Sequence, residues 1–133
     1  MNTQLPSGYR PSADEEYMNP RQVEYFRLKL MKMRADLLRE LQANPPASAE
    51  ESVREGDRTD QASAETEREL GAIHRERAQS MLYRVDQALS RVESGDYGYC
   101  EDSGEPIGLK RLEAQPMARL SVAAQERRER ARG

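Results

Sequence analysis

The chain has 133 residues, of which 34% are charged, 36% hydrophobic and 5% aromatic, with no tryptophan. So lean an apolar content excludes a many-layered core. Twenty-one basic against 24 acidic residues leave a net charge of -3, which excludes both the large net charge typical of disorder and the basic surface that grips duplex DNA. What remains is a narrow apolar seam flanked by mixed charge, the pattern of long helices packed in pairs.

Residues 1–18 hold Pro6, Gly8 and Pro11 and read as a flexible N-terminal arm. Asn19 is placed to cap a helix whose first turn carries Pro20, where the missing N–H costs nothing. Val23, Phe26, Leu30, Met33, Leu37 and Leu41 then recur at steps of three and four, a helical stripe with heptad-like spacing. Pro45 and Pro46 interrupt it, and Ser48 with Glu51 forms a capping-box pattern before Gly56. A second long helix is expected from about Asp57–Asp60 to Glu93, with a clean late seam at Leu82, Val85, Leu89 and Val92. Its early apolar pair, Leu70 and Ile73, falls in another register and predicts a stutter near Arg75–Ala78. Ser94-Gly95 supplies a stop. Two such helices joined by an acidic turn fold back as an antiparallel coiled coil over 19–94, with a tip at about 55–62. Residues 95–133 form a small turn-rich module, rich in glycine and proline, with a last helix at about Ala118–Arg132. The fold class is all-α.

No apolar run approaches the roughly 18 residues needed to cross a bilayer, and the N-terminus has no basic stretch followed by an apolar one, so neither a membrane span nor a signal peptide is expected. Cys100 is the sole cysteine, so no internal disulfide and no multi-cysteine metal cage can form; a reducing, cytoplasmic setting fits. His74, the sole histidine, lies 26 positions from Cys100 in another element and reads as a helix-surface residue. Cys100 itself reads as an inert small apolar residue or a redox-sensitive thiol. No nucleophile, base and orienting group come together, the glycine turns lack a Walker lysine, and no enzyme is expected. Asp57, Asp60, Glu65, Glu67 and Glu69 cluster at the reversal against Arg58 and Arg68. This is either helix-dipole capping or an acidic tip presented to a basic cavity or a bound Mg²⁺.

The run GDYGYCEDSGEPIGLKRLEAQPMARLS, the EEYMN segment before the first helix, and Asp57-x-x-Asp60-x-Ala62 at the turn resemble the DksA/TraR family of bacterial RNA-polymerase-binding factors, from about Glu15 to the last helix. The resemblance implies a stringent-response-type regulator whose coiled coil enters the secondary channel of RNA polymerase and alters promoter-complex stability without binding DNA. It implies Asp57, Asp60 and Ala62 as tip residues and Arg77 as a docking residue, whose bland role is a solvated face. It implies Arg84 as a contact for the co-regulator ppGpp, with Gln115 and Gln125 where the family carries cations. Family members hold zinc with four cysteines; the matching positions here are Cys100, Ser103, Ser121 and Ala124. Hydroxyls and a methyl do not replace thiolates, so no zinc is expected, and Tyr97, Tyr99, Ile107, Leu109, Leu112 and Leu120 must hold the module by packing. An intramolecular hairpin leaves little seam exposed, so a monomer is expected. Two other readings share these residues: a Gre-type transcript-cleavage factor, and a coiled-coil adaptor with no polymerase role.

Overall fold

The computed structural model describes residues 3–45 and 61–132, with Gln61 and Ala62 described by backbone alone. Asp57, Asp60, the Ser48–Glu51 pattern and Gly56 lie outside the described residues. The described part is helical: α1 (Pro20–Ala43), α2 (Gln61–Ser94), α3 (Leu109–Ala114) and α4 (Val122–Arg132). It divides into two compact units, Met1–Arg34 with Arg84–Gly133, and Ala35–Tyr83.

α1 starts as its sequence directs. The Asn19 side-chain oxygen accepts the N–H groups of Arg21 at 2.9 Å and Gln22 at 3.1 Å, satisfying two donors that a helix start leaves open. Phe26 and Leu30 are fully buried, and Val23, Met33, Leu37 and Leu41 are half-buried. In the first unit α1 meets the end of α2 in antiparallel sense: Val23 and Val92 line one small cavity, while Arg34 pairs with Asp86 at 2.8 Å.

The expected stutter in α2 is absent. Its inward side runs Ala64, Arg68, Gly71, Arg75, Ala78, Leu82, Val85, Leu89, Val92, a continuous three–four spacing of buried or half-buried residues. Leu70 and Ile73 point away from that seam and are 50% and 59% exposed. Small side chains and arginine stems fill the early seam, so the largest aliphatics gave a false register. Within the second unit, Arg75 donates to the Pro45 carbonyl at 3.4 Å. α2 ends at Gly95, whose φ of 86° lies in the left-handed region that a side chain would disfavour.

The turn-rich module follows in the first unit. Tyr99 and Pro106 form an isolated antiparallel bridge, flanked by Ile107 N–H to the Gly98 carbonyl and Cys100 N–H to the Glu105 carbonyl, both at 2.8 Å. Tyr97, Cys100, Ile107, Leu112, Ala118, Leu120 and Ala124 are buried. Tyr99, expected in this core, is 37% exposed, and Leu109 is half-buried. The Tyr97 hydroxyl donates to the Pro116 carbonyl at 2.8 Å, and burial pushes its pKa strongly upward.

The last helix begins at Val122, not Ala118. The Arg119 carbonyl is taken by the Glu101 N–H at 3.0 Å and the Leu120 carbonyl by Arg111 Nε at 2.9 Å. Ser121 then caps the helix through its hydroxyl, which accepts the Ala124 N–H at 3.1 Å. Residues 9–18, expected within a flexible arm, make specific contacts. Glu15 accepts the Tyr9 hydroxyl and the Ser12 N–H, Gln22 is wholly buried and accepts the Met18 N–H at 2.8 Å, and Tyr17 bonds to the module.

Candidate functional site

Three sets of residues are those expected to carry the function, each described within its own unit. The first is the tip. Asp57 and Asp60 lie outside the described residues, and Ala62 falls in the first turn of α2. Glu65, Glu67 and Glu69 follow on the same helix with exposed side chains.

The second set is the outward side of α2 in the second unit. Arg77 is exposed, with no ion-pair partner among the described residues. It lies seven positions from Leu70 and four from Ile73, so the three share one helical stripe on the side away from the seam. Two large aliphatics beside an unpaired guanidinium are what a protein partner can bury. The sequence periodicity had placed Leu70 and Ile73 in the seam, and only their burial reveals them as surface. His74 is exposed on this helix and, among the described residues, joins no group of three or more His, Cys, Asp or Glu side chains that could hold a metal.

The third set lies in the first unit. Arg84 is exposed on α2. Gln115 ends α3 and is exposed. Gln125, on α4, accepts a hydrogen bond from Arg111 Nη2 at 2.5 Å and donates to Glu129 at 3.1 Å. A guanidinium therefore stands beside the neutral Gln125; Arg111, at the middle of a short helix that sequence reading missed, is the residue that keeps charge there.

The module also brings together Cys100, Ser103, Ser121 and Ala124, the four positions expected to correspond to metal-holding cysteines. Cys100 is 3% exposed. Burial pushes its thiol up, but the hydroxyls and backbone N–H groups of Ser103 and Ser121 face the sulfur and draw its pKa down to about 6. Ala124, fully buried, donates its N–H to the Ser121 hydroxyl. One sulfur, two hydroxyls already engaged in hydrogen bonding and one methyl do not make a structural zinc set. Among the described residues no three His, Cys, Asp or Glu side chains gather as a metal site.

Charged pairs surround this locus. Asp102 takes Arg128 in a two-pronged pair, Nε at 2.7 Å and Nη2 at 2.5 Å. Glu101 takes Arg119 at 2.9 Å and Arg91 at 3.4 Å. Further back, Glu113 of α3 accepts Lys29 Nζ at 2.7 Å and the Tyr25 hydroxyl at 3.1 Å, which fastens α3 to α1.

Known proteins share this plan. The N-terminal domain of DnaK suppressor protein DksA matches residues 22–92, and the prokaryotic dksA/traR C4-type zinc finger matches residues 95–130. The RNA polymerase-binding transcription factor DksA of Caulobacter vibrioides is 51% identical over 124 residues, covering 93% of this chain and 87% of its own length. The protein of the same name from Escherichia coli K12 is 35% identical over 114 residues, covering 86% of this chain and 76% of its own. The structure of transcription factor DksA2 from Pseudomonas aeruginosa superposes with a TM-score of 0.78 at 36% identity, covering 92% of this chain and 93% of that one. Matched along both its helical and its turn-rich parts, the chain belongs to the DksA/TraR family.

Proposed function

We propose that this protein is a bacterial transcription regulator that binds RNA polymerase directly and catalyses no reaction of its own. The observation that carries the reading is its 51% identity, over 93% of the chain, to a relative named for binding RNA polymerase. The exposed stripe of Leu70, Ile73 and Arg77 supports it by offering a surface that a protein partner would desolvate. In this reading the tip enters the secondary channel and Asp57, Asp60 and Ala62 face the active centre, with Asp60 the residue of greatest effect. Arg77 docks on the polymerase beside the channel. The factor acts as a cytoplasmic monomer, shifts promoter-complex stability in the manner of DksA, and makes no direct contact with DNA.

Arg84 belongs to the face that would share ppGpp with the polymerase. Gln115 and Gln125 contribute no charge to it, and each charge-assisted contact is worth about 1.5–3 kcal/mol, so ppGpp synergy is reduced. Arg111, bonded to Gln125, retains one cation at that place. The module works without zinc, because its donor positions Cys100, Ser103, Ser121 and Ala124 do not suit the ion.

The test is multi-round transcription by purified bacterial RNA polymerase from a ribosomal RNA promoter, in chelator-treated buffer, with and without ppGpp. Wild type should repress, Asp60→Asn should not, and ppGpp should add less than it does to a family member carrying both cations. Absence of repression in every lane would favour the adaptor reading. Cleavage of nascent RNA in a backtracked complex would favour the Gre-type reading instead.

A further inference from the structure

In a four-thiolate module the metal joins two short segments, here Cys100–Ser103 and Ser121–Ala124. The two residues inside the first segment, Glu101 and Asp102, are both carboxylates, and both reach arginines that bracket the second: Arg119, two positions before Ser121, and Arg128, four positions after Ala124. Four positions is one helical turn, so Arg128 stands on α4 directly above the methyl of Ala124. The Asp102–Arg128 contact is a parallel fork of two bonds, the planar geometry that holds orientation as well as charge. At the other end Glu101 binds Arg119 twice over, by its own N–H to the Arg119 carbonyl at 3.0 Å and by its carboxylate to the guanidinium at 2.9 Å.

We propose that this double clasp, Asp102–Arg128 and Glu101–Arg119, has taken over the positioning role of the metal, fixing where α4 lies on the 100–103 turn. Packing of Leu112, Leu120 and Ala124, all 7% exposed or less, supplies the burial. The clasp supplies the register. Such a link ignores chelators, whereas salt weakens it: at 1 M salt the screening length is about 3 Å, against about 10 Å at 0.1 M. Both pairs are part-exposed, with side-chain exposures between 32% and 49%, so salt reaches them.

Hydrogen–deuterium exchange of the full-length protein reads this out, with the amides of residues 122–132 measured relative to those of α1. Chelator should leave α4 protection unchanged, and raising salt from 0.05 M to about 1 M should lower it. Asp102→Arg and Arg128→Asp should each speed exchange in α4 by about threefold or more, and the two together, which restore the pair in reverse, should recover most of the loss. The clasp is overturned if chelator accelerates α4 exchange, if elemental analysis finds one zinc per chain, or if the exchanged pair is no better protected than the single variants. The chelator, salt and elemental measurements need no variant, so a variant that fails to fold does not stall the test.

Discussion

The hydroxyl of Tyr17 donates to the carbonyl of Gly98 at 2.7 Å, across 81 positions of chain, and in the same place accepts the Gly108 N–H at 2.9 Å. One phenol thus ties the segment before α1 to both ends of the bridged turn. Its ring stacks edge-on against Tyr99 at 5.6 Å. Tyr17→Phe keeps the ring and removes both bonds, leaving the Gly108 N–H without its partner, while Gly98 still accepts from Ile107. A loss of about 1–2 kcal/mol is expected in denaturant unfolding. A change indistinguishable from zero would mean that this contact does not hold in solution.

Gly98 is constrained on two counts. Its φ is 93°, and an added Cβ would lie 2.6 Å from Met18 Cγ. Gly98→Ala meets both the backbone penalty of about 1–2 kcal/mol and a steric clash. Met18→Ala in the same chain should relieve only the clash. Partial recovery of thermal stability, not full recovery, is the outcome that separates the two causes.

Much of this architecture is written plainly in the sequence, and the exceptions share a cause. Asn19, Pro20 and Ser94-Gly95 bound helices because each acts through its immediate neighbours. The apolar stripe of α1 is legible because Phe26 and Leu30 are both large and buried. α2 misleads because its early seam is built of Ala64, Gly71 and Ala78, while its large aliphatics face out. The start of α4 misleads because Arg111 and Glu101, distant in sequence, claim the carbonyls that an earlier helix start would have used. In the same way, the single cysteine at the four expected metal positions is legible in the sequence, but the arginines paired with Glu101 and Asp102 emerge only when the chain is folded.

The two sides of α2 should respond oppositely to truncation. Val85 is fully buried, and Val85→Ala removes two methyl groups from a packed seam, with an expected cost of about 1–3 kcal/mol in unfolding free energy. Leu70→Ala and Ile73→Ala should stay within about 0.5 kcal/mol of wild type in the same assay. If the stripe is the polymerase-facing surface, those two variants and Arg77→Ala should weaken polymerase binding by about fivefold or more, as truncation of interface anchors does. Equal destabilisation on both sides would contradict the seam assignment.

Glu113 gives the fold an acid-side limit. Burial pushes its carboxyl up, but the hydrogen bonds from Lys29 and Tyr25, with the nearby charges of Lys29 and Arg10, outweigh this and hold it below the ordinary glutamate value. A carboxyl depressed in the folded state binds fewer protons there than in the unfolded chain, so its contribution is complete above the unfolded value and falls away as pH drops through the folded one. Glu113→Gln should therefore show a smaller loss of stability on acidification from neutral pH than wild type shows, with the difference confined to the acid range below the usual glutamate pKa. A difference between the two that persisted unchanged down to the lowest pH would assign the contact to packing and not to charge.

If the module works without zinc as proposed, a four-thiolate set should be restorable. Ser103→Cys, Ser121→Cys and Ala124→Cys together with Cys100 recreate four thiolates on segments that already converge on one sulfur. With three substitutions made and the clasp pairs intact, the chain should bind one zinc, as judged by elemental analysis, and its thermal midpoint should become sensitive to chelator where that of wild type is not. Ala124 is fully buried, so Ala124→Cys alone, with no metal to hold, should overpack the site and cost about 1–3 kcal/mol. Zinc binding should reverse that sign in the complete set, because a ligand that binds only the folded state stabilises it in proportion to its free concentration over its dissociation constant. A quadruple-cysteine protein that folds but takes up no metal would show that the segments have drifted from tetrahedral reach, and that the clasp now holds them in an arrangement the ion can no longer use.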